Sequence, residues 1–254
     1  MKRALIIKDL HLPYNDKAFT ECLFQAMKIV KPDFIWLEEL MDMYPLKAWT
    51  KTSKEDVLED DLEFEIAAGN KFLDRVQKTA KDADIEYLYG NHCDRYDRYM
   101  YANARPVYKR ITLAKELRLR ERGIKQHDHG TGKLHKLLGT DLGLCHTPFT
   151  YGKNVAMGNL NEKHVDMMSG CTHRTQYVAT RDGDDRLKRS YAIGCGIDLK
   201  SPAFAYKPYR NWSHSFAIVN VWGKKDKYSV NIVEVIDGVC VIDGKLVDGN
   251  KFLK

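Results

Sequence analysis

The chain has 254 residues, 44% of them hydrophobic and 30% charged, enough apolar content to bury a sizeable core as one α/β domain. No run approaches the roughly 18 apolar residues of a membrane helix, Met1-Lys2-Arg3 opens no signal peptide, and six cysteines without a C-x-x-C pair exclude a disulfide scaffold or a zinc knuckle, so a cytoplasmic protein is expected. A net charge of +6 with a pI near 8.8 permits a polyanionic partner without requiring one.

Ala4 to Ile7 is a short apolar run, expected for a strand buried on both faces, and Asp9 and His11 follow it directly. Phe19, Leu23, Met27 and Val30 then recur at helical spacing before Lys31-Pro32, and Phe34 to Leu37 reads as the next strand, followed by Glu38-Glu39. A β-α-β unit of this kind predicts two parallel strands with a right-handed crossover. A helix opens at Ser53, with Asp56 three residues on, and its apolar stripe runs through Leu58, Leu62, Ile66, Leu73 and Val76. A third strand at about Glu86 to Tyr89 ends at Gly90-Asn91-His92, a second helical region covers about 94–122, and Gly143 to Cys145 ends at His146. After Tyr177 the texture is β-rich, with turns at Arg181-Asp182-Gly183-Asp184 and Asp237-Gly238 between runs at Tyr191 to Ile193, Phe216 to Val221 and Tyr228 to Val235. That half is expected to form a second sheet packed on the first. One domain, 1–254, is predicted, with helical insertions at about 45–82 and 94–122.

Five segments put metal-type ligands or their neighbours where strands should end: Asp9-Leu10-His11, Glu38-Glu39-Leu40-Met41-Asp42, Gly90-Asn91-His92, His146, and Gly170-Cys171-Thr172-His173. Singly each has a bland explanation. A strand-end Asp forms turns, Gly-Asn suits a tight turn, a lone His is a half-buried side chain and a lone Cys a small hydrophobe. Together they offer mixed oxygen, nitrogen and sulfur donors, which suit Mn, Fe or Zn better than magnesium. A metal pair ~3.5–4 Å apart, joined by a carboxylate, is the device that hydrolyses phosphoesters.

In order and spacing the set resembles the calcineurin-like metallophosphoesterase family, with the pattern D-x-H, G-D-x-x-D, G-N-H, H and G-H-x-H, and in compactness its small bacterial and phage-type members. The resemblance covers positions 9 to 173 and implies a two-sheet β-sandwich flanked by helices, layered α/β/β/α. It implies Asp9, His11 and His173 on a first metal and Asn91, His146 and Cys171 on a second, with Glu39 bridging. It also implies His92 as the catalytic residue, protonating a leaving oxygen or stabilising the phosphoryl group, and Asp42 as a residue orienting a ligand. Two divalent ions are expected, manganese first, with zinc, iron or nickel as alternatives. Arg95 and Arg174 are the candidate substrate contacts.

Departures from the pattern weaken the second position. Glu39 stands where the family has Asp, Cys171 where it has His, and Glu38 where it has Gly, so the bridge is Glu38, Glu39 or Asp42. Glu38 would be strained if its backbone needed a positive φ. Lys8 and Thr147 replace small residues and a glycine.

The expected reaction is phosphodiester cleavage of DNA, RNA or a nucleotide. Phosphomonoester hydrolysis and a catalytically weakened binding protein are the alternatives. Basic and aromatic residues interleave from Arg95 to Arg110, as contacts with single strands require, although a solvated helix with inward tyrosines explains them too. His127, His129 and His135 are assigned no role.

Overall fold

The computed structural model describes residues 1–46, 62–128, 130, 133–204 and 211–253. Ser53, Asp56, Leu58 and His129 lie outside the described residues. The chain is mixed α/β, and alternation within its first strands sets the layers. In β1 (Lys2–Lys8), Leu5 and Ile7 join a core shared with helices, while Ala4 and Ile6 join a second core facing the other way. β2 (Phe34–Glu38) divides the same way, with Ile35 and Leu37 on the helix side and Phe34 and Trp36 opposite. Period-2 alternation with no polar face is what a strand buried on both sides requires.

Between them, α1 (Lys17–Val30) is capped by Asp16, whose carboxylate accepts the Phe19 amide at 2.7 Å, and ends at Lys31 in a left-handed conformation. Phe19, Leu23, Met27 and Val30 form its buried stripe. α2 (Leu62–Thr79) leads to β3 (Asp84–Leu88); β1 and β2 are parallel as predicted, and β3 runs parallel to β2. α3 (Cys93–Asn103) and the short α4 (Leu113–Glu116) replace the single helical region expected at 94–122, because Pro106 cannot continue a helix and restricts Arg105 before it. β4 (Lys125–His127) closes that edge of the sheet.

The second sheet is built from β5 (His135–Lys136), β6 (Gly143–Cys145), β7 (Met167–Ser169), β8 (Gln176–Arg181) and β9 (Leu187–Ala192), in the order β5-β6-β7-β9-β8. α5 (Val155–Lys163) packs against β8 and β9. Leu144, Met168 and Tyr191 from this sheet share the second core with Ala4, Ile6 and Trp36, so the two sheets meet there.

One expectation is overturned. β10 (Ser215–Val221) and β11 (Tyr228–Glu234) do not belong to the second sheet but extend the first, which runs β11-β10-β1-β2-β3-β4. β10 pairs antiparallel with β1, and its Phe216 and Ile218 complete the helix-side core while Ala217 and Val219 complete the other. The run at Tyr191 to Ile193 is the only one of the three that lies with the second sheet. A final hairpin, β12 (Val239–Ile242) and β13 (Lys245–Asp248), turns at Asp243-Gly244; there and at Asp237-Gly238 both residues have positive φ, the geometry of two-residue hairpin loops. Among the described residues no helix is long and apolar enough to cross a membrane.

Candidate metal centre

The predicted ligands converge from the carboxyl ends of strands in both sheets. Asp9 and His11 follow β1, Glu39 and Asp42 follow β2, and Asn91 and His92 follow β3; His146 follows β6, and Cys171 and His173 follow β7. A cavity of about 360 Å³ is lined by Asp9, His11, Glu39, Asn91, His92, His146, Cys171 and His173, with Tyr151, Thr172, Arg174, Phe204 and Trp212 at its rim. The two halves are joined directly, since the Cys171 amide donates to Asp9 Oδ2 at 3.0 Å.

Backbone strain gathers here. Asp9, His11, Glu39, Cys171 and His173 all have φ between 46° and 66°, a left-handed region that costs a non-glycine residue on the order of 1 kcal/mol. Glu38 is the last residue of β2 and is not among them, so the strain expected at Glu38 falls on Glu39 instead. Two glycines let the acids crowd together. A Cβ on Gly90 would lie 2.1 Å from Glu39 Oε2, and one on Gly170 would lie 2.5 Å from Asp9 Oδ2.

Asp9, His11 and His173 form a group whose ligand atoms are close enough to hold one ion. Asp9 Oδ1 stands 3.9 Å from His11 Nε2 and 3.6 Å from His173 Nε2. These separations are too long for hydrogen bonds, and Asp9 Oδ1 and His11 Nε2 are buried with no hydrogen-bond partner. Leaving two such atoms unmatched costs about 1–3 kcal/mol each. Donors ~2.1 Å from a shared cation stand ~3–4 Å apart, so this set fits a metal ion. The ring of His11 is held by its other nitrogen, 3.0 Å from Asp42 Oδ2.

The second predicted set is packed more tightly. His146 Nε2 lies 2.9 Å from Asn91 Oδ1 and 3.2 Å from Glu39 Oε2, and Cys171 Sγ lies 3.6 Å from Asn91 Oδ1. Glu39 has further commitments: its two oxygens accept the amides of His92 and Cys93, each at 2.8 Å. The extra methylene carries its carboxylate to the amino end of α3, where a helix dipole favours negative charge.

Glu38 is equally engaged. It forms a fully buried ion pair with Lys8, accepts the Trp36 indole N–H at 3.0 Å, and faces His146 Nδ1 at 3.2 Å. Lys8 also donates to the Cys145 carbonyl at 3.1 Å. The resulting site holds four buried carboxylates, Asp9, Glu38, Glu39 and Asp42, against Lys8 and Arg95. The excess negative charge shows in the histidines. Burial opposes charge on His11, but the hydrogen bond to Asp42 and the nearby Asp9 carboxylate outweigh it and lift the imidazole to about 9. Asp9 resists burial in the same way, and contacts with His11 and His173 hold its carboxyl well below the usual range. Burial, and then the charge on His11, push His92 down to about 4.

Burial thus favours the neutral form of His92. Its Nδ1 lies 3.2 Å from Asp42 and its Nε2 is 3.2 Å from the Arg95 guanidinium, so Nδ1 carries the proton and Nε2 accepts. Arg95 does not line the cavity; it donates to the Asp42 carbonyl at 3.0 Å and to His92. Arg174 does line it, steadied by Gly152 O at 2.8 Å and Asn211 Oδ1 at 3.0 Å.

Sequence reasoning missed Tyr151 and Trp212, on loops, and Phe204, at the end of a short 3-10 helix, none of which carries strand-end punctuation. Trp212 packs edge-on against His173, with ring centroids 4.5 Å apart. The Lys8–Glu38 pair did carry a signal, since the two residues are register partners at the ends of adjacent parallel strands.

No family model matches the chain, and the search of curated proteins found no match. Among solved structures it is similar to that of Chaetomium thermophilum Vps29, at 11% identity and a TM-score of 0.45, over 93% of this chain and 90% of that one. At that distance the site's own geometry has to carry any functional reading.

Proposed function

We propose that the chain is a metal-dependent phosphoesterase of the calcineurin-like metallophosphoesterase kind, with the α/β/β/α layering of that family, cleaving phosphodiester bonds in nucleic acid or nucleotides. The observation that carries this reading is the pair of unmatched buried atoms, Asp9 Oδ1 and His11 Nε2, facing one another beside His173 and the Asn91–His146 contact. Asp9, His11 and His173 would hold one divalent ion and Asn91, His146 and Cys171 another, with Glu39 reaching both. Such a pair, when bound, supplies a hydroxide at neutral pH and takes up charge on the phosphoryl oxygens. Mn or Zn suits these donors, and the Cys171 thiolate favours Zn at the second position.

The chain's own groups do the rest. Arg174 at the rim is placed to meet a phosphate oxygen, and His92 Nε2 is placed to accept a proton from a hydroxyl or water once Arg95 yields it. Phe204 and Trp212 give the cavity an aromatic wall. A second reading, a weakened enzyme that binds its ligand without turnover, draws on one specific observation: both Glu39 oxygens are already occupied by α3 amides.

Hydrolysis of bis-p-nitrophenyl phosphate and of single- and double-stranded DNA with Mn, Zn, Ni or Mg tests the proposal. Turnover that disappears in Asp9→Asn supports it, and no turnover with any metal at high protein concentration refutes it.

A further inference from the structure

We propose that the exposed surface of residues 94–122 binds single-stranded nucleic acid along a track leading away from His92. That the track feeds the cavity rests on the phosphodiesterase reading; that it binds a strand does not. The segment holds nine basic and four acidic residues, a net +5 in a chain of +6, so nearly all the excess charge is local. Its acids are largely occupied. Asp97 accepts the Leu113 amide at 2.8 Å, Asp94 pairs with Arg98 at 3.3 Å, and burial beside Glu116 raises the Tyr96 phenol to about 12. Arg122 is tied to Asp74 at 2.6 Å, but Arg105, Lys109, Arg110, Lys115, Arg118 and Arg120 are exposed with no acidic partner among the described residues.

Aromatic placement decides the kind of polyanion. Only Tyr96 packs inward among the α3 tyrosines, whereas Tyr99 and Tyr101 are 45% and 49% exposed. The Arg105 guanidinium sits 5.3 Å over the Tyr101 ring, and Tyr108 meets the same ring edge-on at 5.5 Å. Half-exposed rings among cations without acidic partners offer stacking to splayed bases and charge to phosphates, a combination a duplex, with its bases already stacked, does not use. α3 begins directly after His92, which lines the cavity, and Tyr99 lies about 10 Å further along the helix. A strand on this face is thus within a few nucleotides of the candidate metal centre.

The test is fluorescence anisotropy of the full-length protein, metal-free, with labelled oligo-dT and a duplex of equal length, alongside bis-p-nitrophenyl phosphate hydrolysis with metal. Oligo-dT is expected to bind more tightly than the duplex. Tyr99→Ala with Tyr101→Ala should weaken it tenfold or more, while the Tyr→Phe pair keeps binding. Arg105→Glu, Lys109→Glu and Arg110→Glu together should weaken it further and lower the salt slope by about 2. None of these changes should alter hydrolysis of the small substrate. Binding lost in the variants while every protein fails to hydrolyse the small substrate keeps this inference and removes the enzymatic one. Wild-type binding in the variants, or no binding of oligo-dT at all, overturns it.

Discussion

Glu38 Oε1 faces His146 Nδ1 at 3.2 Å while the other Glu38 oxygen is held by Lys8 and the Trp36 indole. The arrangement fixes the histidine ring so that Nε2 points at Asn91 and Glu39. Glu38 thus orients the His146 ring, and with Asp9 and His146 it also forms a group whose ligand atoms are close enough to hold an ion, in keeping with the competing ligand the sequence suggests.

Lys8→Met leaves the Glu38 carboxylate buried without its cation, and stability should fall by about 3–5 kcal/mol. Adding Glu38→Gln to that variant should restore part of the loss. Urea unfolding reads both, and a Lys8→Met midpoint equal to wild type would refute the pairing.

Glu39→Asp installs the acid of the G-D-x-x-D pattern but withdraws the carboxylate from the His92 and Cys93 amides. A loss of about 1 kcal/mol is expected, with no gain in hydrolysis. A sharp rise in rate would show that Glu39 is simply a poor bridge and that its contacts with α3 are incidental.

Gly90→Ala and Gly170→Ala should each eliminate metal binding, because the new methyl would fall within 2.1 Å of Glu39 Oε2 and 2.5 Å of Asp9 Oδ2. Gly183→Ala, where a Cβ meets nothing within 4 Å, is the control. Isothermal titration with Mn separates them, and retained affinity in the first two would mean that the acids sit elsewhere.

His135 titrates away from the centre, where burial first and then His127 push it down to about 4. Its folded pKa lies below the unfolded value, so the stability it contributes is present above pH 6.5 and is lost as pH falls toward 4. His135→Gln should flatten this part of the acid limb in thermal melts. An unchanged pH profile would count against the shift.

Much of the fold was legible from residues whose surroundings are local. Ala4 to Ile7 announced a strand because both its faces are covered, and Asp237-Gly238 announced a turn because both residues adopt positive φ. The sheet to which β10 and β11 belong was not legible, since pairing with β1 joins residues more than 200 positions apart and either sheet could have accepted that pattern. The residues that line the cavity from strand ends could be named from motif spacing alone. The roles of Glu38, Glu39 and Arg95 could not, because each depends on side-chain reach: to Lys8 across a parallel pair, to the α3 amides, and to His92 and Asp42.

Whether these residues form a two-metal centre is read most directly from the Mn stoichiometry of the purified protein after loading and desalting. Two equivalents are predicted, falling to one in His146→Ala; one or none in the wild-type protein would contradict the account.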